Sequence, residues 1–178
     1  PKYVQKHMTI KIVPHIPGGY YMPAYHAVRR YYEPTTGMSY PFTQDIKPRN
    51  SVTTYQNGAF VLGSTDAVYQ PYADMVGVNL DWYTDGSAQG DYKVFVHILD
   101  KSDQIVAQAD TYPGNGTLPP GNWLPGVLRD TIVVDLQNTS PGQYRVAIGL
   151  YNPYTFERLQ PAGGDDQNRF FIGDVEIR

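Results

Sequence analysis

Apolar and polar positions alternate through the second half of the chain. Val76, Val78, Leu80 and Trp82 alternate with Gly77, Asn79, Asp81 and Tyr83, the period of two that marks a half-buried strand. Asp85-Gly86-Ser87 ends it. Tyr92, Val94, Val96 and Ile98 then share one face of a strand whose other face carries Lys93, Phe95, His97 and Leu99. Asp100 to Asp103 reads as a hairpin loop, with Gln104 to Thr111 as the return. A Pro/Gly-rich crossing follows from Tyr112 to Gly126. Ile132, Val134 and Leu136 alternate with Thr131, Val133 and Asp135, Ser140-Pro141-Gly142 turns the chain, and Tyr144, Val146, Ile148 and Leu150 alternate again. Phe171, Val175 and Ile177 close the chain in a last strand. Hairpin-like links between such strands predict an all-β fold, a two-sheet antiparallel β-sandwich of about eight strands, jelly-roll or immunoglobulin-like.

The first seventy residues lack this rhythm. Tyr20, Tyr21, Tyr25, Tyr31, Tyr32 and Tyr40 crowd a proline-rich stretch. A short helix fits between Pro23 and Pro34, over Tyr25 to Tyr32. Val52 to Tyr55 and Ala59 to Leu62 flank Asn57-Gly58, which predicts a hairpin with a type I′ turn. Residues 1–19 read as an extended N-terminal arm, and 20–178 as one sandwich domain, with an irregular first part (20–70) and regular strands from 75 to 178. In the arm, Met8, Ile10 and Ile12 form an apolar row, Pro14 and Pro17 interrupt pairing, and Gly18-Gly19 supplies a hinge. Seventeen extended residues reach roughly 56 Å, farther than the roughly 40 Å diameter of a globule of this length. The row therefore fits either the first strand of its own sandwich or a strand donated to a neighbouring copy.

Composition narrows the function classes. One domain is the expectation for 178 residues. Charged residues are 17% and the net charge is −3, so the basic stripe of a nucleic-acid binder is missing. Cysteine is absent, which removes disulfides, thiol catalysis and cysteine-ligated zinc. No apolar run approaches the roughly 18 residues of a membrane span. The chain starts at Pro1, which reads as a processed mature protein or an excised domain.

Motifs for catalysis are missing as well. The histidines (His7, His15, His26 and His97) have no paired metal-ligand spacing. No GxSxG, SxxK or phosphate-binding loop occurs. Asp100, Asp103, Asp165 and Asp166 are weak candidates for calcium, since aspartate is also an ordinary turn residue. The aromatics suggest more. Trp123 sits in a Pro/Gly loop and Tyr112, Tyr151 and Tyr154 lie near turns, where an exposed ring can stack on a sugar. The bland alternative has Trp123 plugging one end of the sandwich. Asn115 and Asn138 begin Asn-X-Ser/Thr sequons in expected loops.

Several segments carry a family resemblance: Asp91 to Asp100 (DYKVFVHILD), Val106 to Asp110 (VAQAD), Trp123 to Gly126 (WLPG), Pro141 to Tyr144 (PGQY), and Gly149 to Pro153 (GLYNP) with Glu157-Arg158-Leu159. Over residues 75–178 the chain resembles the C-terminal extracytoplasmic β-sandwich of large bacterial envelope proteins, among them membrane glycosyltransferases of the protein-mannosyltransferase type. The resemblance implies an accessory domain outside the membrane with no catalytic residues of its own. The membrane-spanning enzyme of that pattern is not in this chain.

The resulting expectation is a non-enzymatic, extracytoplasmic structural module without a cofactor. It associates with itself by donating the N-terminal strand, with Met8, Ile10 and Ile12 as anchors, and builds a surface fibre or layer. The alternative is a carbohydrate-binding accessory domain, with Trp123, Tyr112 and Tyr154 as the platform for surface glycans.

Overall fold

The structure is a computed structural model that describes residues 28–32, 39–43, 51–114, 116, 118–123, 126–137 and 139–178; for 28–32, 39–43, Ser64 and Asn122 it describes the backbone alone. These residues form an all-β, two-sheet antiparallel sandwich. The strands are β1 (Val28–Tyr32), β2 (Ser39–Thr43), β3 (Thr53–Tyr55), β4 (Phe60–Gln70), β5 (Met75–Thr84), β6 (Lys93–Leu99), β7 (Ile105–Thr111), β8 (Gly126–Asp135), β9 (Gly142–Tyr151), β10 (Arg158–Leu159) and β11 (Phe170–Ile177). The first sheet runs β1-β2-β8-β5-β4-β3 and the second β10-β9-β6-β7, with β11 also paired to β9.

Three local expectations need correction. Residues 28–32 are not helical. They pair antiparallel with β2 from Val28↔Thr43 to Tyr32↔Ser39, so sheet pairing overrides a weak two-turn helix signal. The hairpin at Asn57-Gly58 exists, but Tyr55↔Phe60 is its last pair. Four residues therefore turn the chain, and Gln56 joins Asn57 and Gly58 at positive φ. Finally, β4 does not stop at Leu62. It shifts register between Leu62 and Ser64 and follows β5 to Gln70↔Met75.

The core lies between the sheets. Val76, Val78, Leu80 and Trp82 point inward from β5, and Ile132 and Val134 from β8. Val94, Val96 and Ile98 of β6 meet them with Val146, Ile148 and Leu150 of β9. At one end the aromatic rings of Phe60, Trp82 and Trp123 interlock, with centroids 5.8 Å apart for Phe60–Trp123 and 6.2 Å for Trp82–Trp123. Trp123 donates its indole N–H to the Leu118 carbonyl at 3.0 Å.

The two outer faces differ. Alternate residues of the first sheet reach solvent, among them Asp66, Asn79, Thr131 and Asp135. In the second sheet the outward residues Phe95, His97 and Leu99 of β6 are buried too. For Phe95 and His97 the cover comes from the chain between β9 and β11. Arg158 lies 4.5 Å above the Phe95 ring, and Arg169, itself buried, lies 5.3 Å above Phe171. This cover is sewn down at both ends. The Ala162 N–H donates to the Thr54 carbonyl at 2.9 Å, and the Ala162 carbonyl accepts from the Thr53 hydroxyl at 2.8 Å. Arg169 bridges Asp165 at 2.8 Å and Asp103 at 2.7 Å.

Candidate functional site

At the end of the second sheet where β6 begins, Lys93 of β6 stands opposite Tyr151 of β9, and Tyr151 stands opposite Arg158 of β10. Tyr112 follows directly on β7. The β9–β10 hairpin reaches out beyond them through residues 152–157.

That hairpin is closely tied. The Asn152 carboxamide oxygen accepts from the amides of Tyr154 at 2.8 Å and Thr155 at 3.2 Å, an Asx turn. The Phe156 amide donates to the Asn152 carbonyl at 2.8 Å, and the Asn152 amide to the Glu157 carbonyl at 2.9 Å. Closing so short a loop puts Phe156 at φ +62°, a left-handed conformation that non-glycine residues adopt at a cost. The loop nevertheless presents its two rings outward, Tyr154 at 76% and Phe156 at 74% exposure.

Carboxylates sit beside the rings. The hydroxyls of Tyr112 and Tyr154 both donate to Asp91 Oδ2, at 3.1 and 3.2 Å. Asp91 Oδ1 is buried without a hydrogen-bond partner. Burial, followed by the bond to Asp91, pushes the Tyr112 phenol up to about 12. Burial also raises the Asp110 carboxyl, against the lowering effect of Lys93 and of a bond from Tyr151. The Tyr151 phenol is raised in turn by burial and by the Asp110 charge. The Lys93 ammonium lies 5.5 Å from the Tyr112 ring centre, and the Tyr151 and Phe156 rings are near-parallel, 11° apart with centroids at 6.3 Å. The result is apolar ring surface set among fixed acceptors and a cation.

Of the residues singled out from sequence, Tyr112, Tyr151 and Tyr154 meet here. Trp123 does not. Only 2% of it is exposed, so it has no face to offer a sugar and instead plugs one end of the sandwich. The four aspartates form no shared cation site. Asp103 and Asp165 converge on Arg169, Asp103 is also bonded by Arg145, and Asp100 accepts from the amides of Ser102 and Gln104 in its own turn. Asp166 is an exposed residue in the turn after Asp165. Among the described residues no group of three or more potential ligands could hold a metal. His97 is buried against Phe95, their rings 4.6 Å apart. Met8, Ile10, Ile12, Asn115, Asn138, His7, His15 and His26 lie outside the described residues.

Asp91, Asp110 and Phe156 belong to the cluster but carry no sequence motif. One signal was present: a phenylalanine inside the polar Asn152–Glu157 turn has no strand period to bury it.

No protein-family model matches the chain, and no curated protein matches it. Among the described residues no helix is long and apolar enough to cross a membrane.

Proposed function

We propose that the chain is a non-enzymatic, extracytoplasmic accessory domain that binds carbohydrate through the Tyr154–Phe156 hairpin. The observation that carries this reading is the exposure of two aromatic rings on a loop that four hydrogen bonds hold in a strained shape. A loop with no task for the Phe156 ring has no reason to keep it in water at a left-handed position. A pyranose lays its C–H face on such rings while its hydroxyls reach neighbouring polar groups. Asp91 and Asp110 supply acceptors and Lys93 a donor. With Arg158 and the exposed Glu157 of the hairpin included, two cations face three carboxylates, a net −1, which disfavours a uronic acid.

A glycan array probed with the intact chain tests this, followed by titration of the best hit. Phe156→Ala and Tyr154→Ala are each expected to weaken that hit at least tenfold without lowering the melting temperature much. If no glycan binds, or if both variants bind like the parent, the proposal fails.

A further inference from the structure

The N-terminal row Met8-Ile10-Ile12 is left over by this reading, and so is one edge of the sandwich. Strand β7 lies at the edge of the second sheet and has no ladder partner beyond it among the described residues. It sits beside β8 of the facing sheet, which continues past β8 into β2 and β1 while the second sheet stops. The edge is not blunted by charge at its start, because Ile105 and Val106 are 46% and 37% exposed. Ala107 and Ala109 turn toward the core yet stay only partly buried, so small side chains leave its margin thinly covered. A groove of about 400 Å³ runs along this edge, lined by Ile105, Val106, Ala107, Gln108, Asp135 and Gln137.

Charge points to an occupant. Residues 1–50 hold seven basic and two acidic residues, whereas 51–178 hold seven basic and fifteen acidic ones. Part of that first segment, β1 and β2, belongs to the sandwich, so the arm itself is residues 1–17, +3 against −6 for the remainder of the chain. Residues 1–17 contain three lysines and no acid. Their alternating row has the strand period that places every second side chain over Ala107 and Ala109.

We infer that residues 4–16 of a second copy add as a strand to the β7 edge. Opposite charges steer the encounter, and ladder hydrogen bonds with Met8, Ile10 and Ile12 in the groove hold it. Because the arm and its acceptor are different surfaces, the contact is head-to-tail and propagates unless the rotation closes a ring.

Light scattering on the full chain and on a variant lacking residues 1–17 tests the inference, together with binding of a synthetic peptide of residues 4–16. The full chain should form dimers or larger species and the shortened chain monomers. The peptide should bind the shortened chain, and bind at least tenfold more weakly to the shortened chain carrying Ile105→Lys and Val106→Lys, both at exposed positions. A peptide carrying Lys6→Glu and Lys11→Glu should also bind at least tenfold more weakly, which needs no change to the folded protein. An unchanged oligomer after truncation, or no peptide binding, overturns the inference. So does a monomeric full chain that refuses the peptide while the shortened chain accepts it, since the arm then fills its own edge. None of these outcomes bears on glycan binding by the hairpin.

Discussion

The outer faces of the two sheets start from similar strands and end differently. On the first sheet, β5 and β8 present Asn79, Arg129, Thr131 and Asp135 to solvent beside the exposed Val133, and Thr131 and Asn79 bond each other in the open at 2.7 Å. On the second, β6 is buried on both sides, and its outer side chains form a floor under arginines. A strand buried on both faces needs a second cover, and here the cover also leads into the exposed hairpin that displays Tyr154 and Phe156. The contrast separates a face that only completes a sandwich from a face built up into something more. Matching substitutions on the two faces sharpen it.

The largest difference is expected between two arginines. Arg169 has a side chain 6% exposed and joins Asp103 to Asp165, while Arg129 is 85% exposed and meets Asp81 at 3.6 Å. Arg169→Ala removes the cation from two carboxylates and unpins the cover, which should cost about 3 kcal/mol. Arg129→Ala should cost less than about 0.5 kcal/mol. Urea unfolding of both variants gives the two numbers. Equal effects would mean that the cover does not stabilise the second sheet.

Next comes acidity. Burial, assisted by the charges of Arg158 and Arg169, lowers His97 to about 4. Its Nδ1 has no hydrogen-bond partner. The unfolded imidazole takes a proton near 6.5, so between about 6.5 and 4 the unfolded state binds the extra proton. Stability therefore falls as pH falls through that window, by about 3 kcal/mol in all, and levels off below it. Asp110 and Asp130, whose carboxyls are raised mainly by burial, act in the opposite direction. Asp103 and Asp165, lowered with the help of Arg169, lose their contribution only below about 4. Comparing the parent with His97→Leu at pH 7 and 4.5 isolates the histidine, because the carboxylates are common to both. The variant should lose markedly less stability on acidification, and parallel losses would show that His97 titrates normally.

How much of this was legible follows from the same contrast. Every strand of the regular half except the two-residue β10 was readable, because one side of each faces a core and the period of two survives in the sequence. In β6 the run Val94 to Leu99 is almost continuously apolar, which is how a doubly covered strand reads, although alternation alone assigns half of it to solvent. The cover itself was not readable. Residues 152–169 hold their shape by Asx turns, by the bonds of Ala162 to β3 and by Arg169, none of which has a sequence period. For the same reason the site was half found. Tyr112 and Tyr154 stood out as aromatics near turns, whereas Asp91 and Asp110 become partners only when β6, β7 and the hairpin are brought together. Trp123 misled because a Pro/Gly-rich loop folded inward rather than out.

Two glycines test the packing of the faces more gently. A Cβ at Gly149 would lie 2.2 Å from the Phe95 ring and 3.0 Å from the Asn168 carbonyl. Arg158 lies over that ring, so Gly149→Ala should cost about 2 kcal/mol by overpacking. At Gly77 of the first sheet the nearest atom is the side-chain nitrogen of Gln70 at 3.0 Å, at the end of a flexible chain that can swing away. Gly77→Ala should be neutral within about 0.5 kcal/mol. Thermal melts of the two proteins decide the matter, and a harmful Gly77→Ala would mean that the first face is also covered.

A small change in stability is also expected for Phe156→Gly, and this substitution divides fold from function most cleanly. Glycine adopts φ +62° without the roughly 1–2 kcal/mol that a side chain incurs in the left-handed region. The lost ring takes with it a near-parallel contact to Tyr151, of the order of 1 kcal/mol at most for so exposed a group. The two changes oppose each other, so the melting temperature should stay within a few degrees of the parent or rise. If the hairpin serves only to connect β9 to β10, the substitution is harmless in every assay. If the ring is held out to meet a sugar, binding falls at least tenfold in a protein as stable as before. A marked loss of stability would show that Phe156 supports the fold, and would remove the strain argument on which the binding proposal stands.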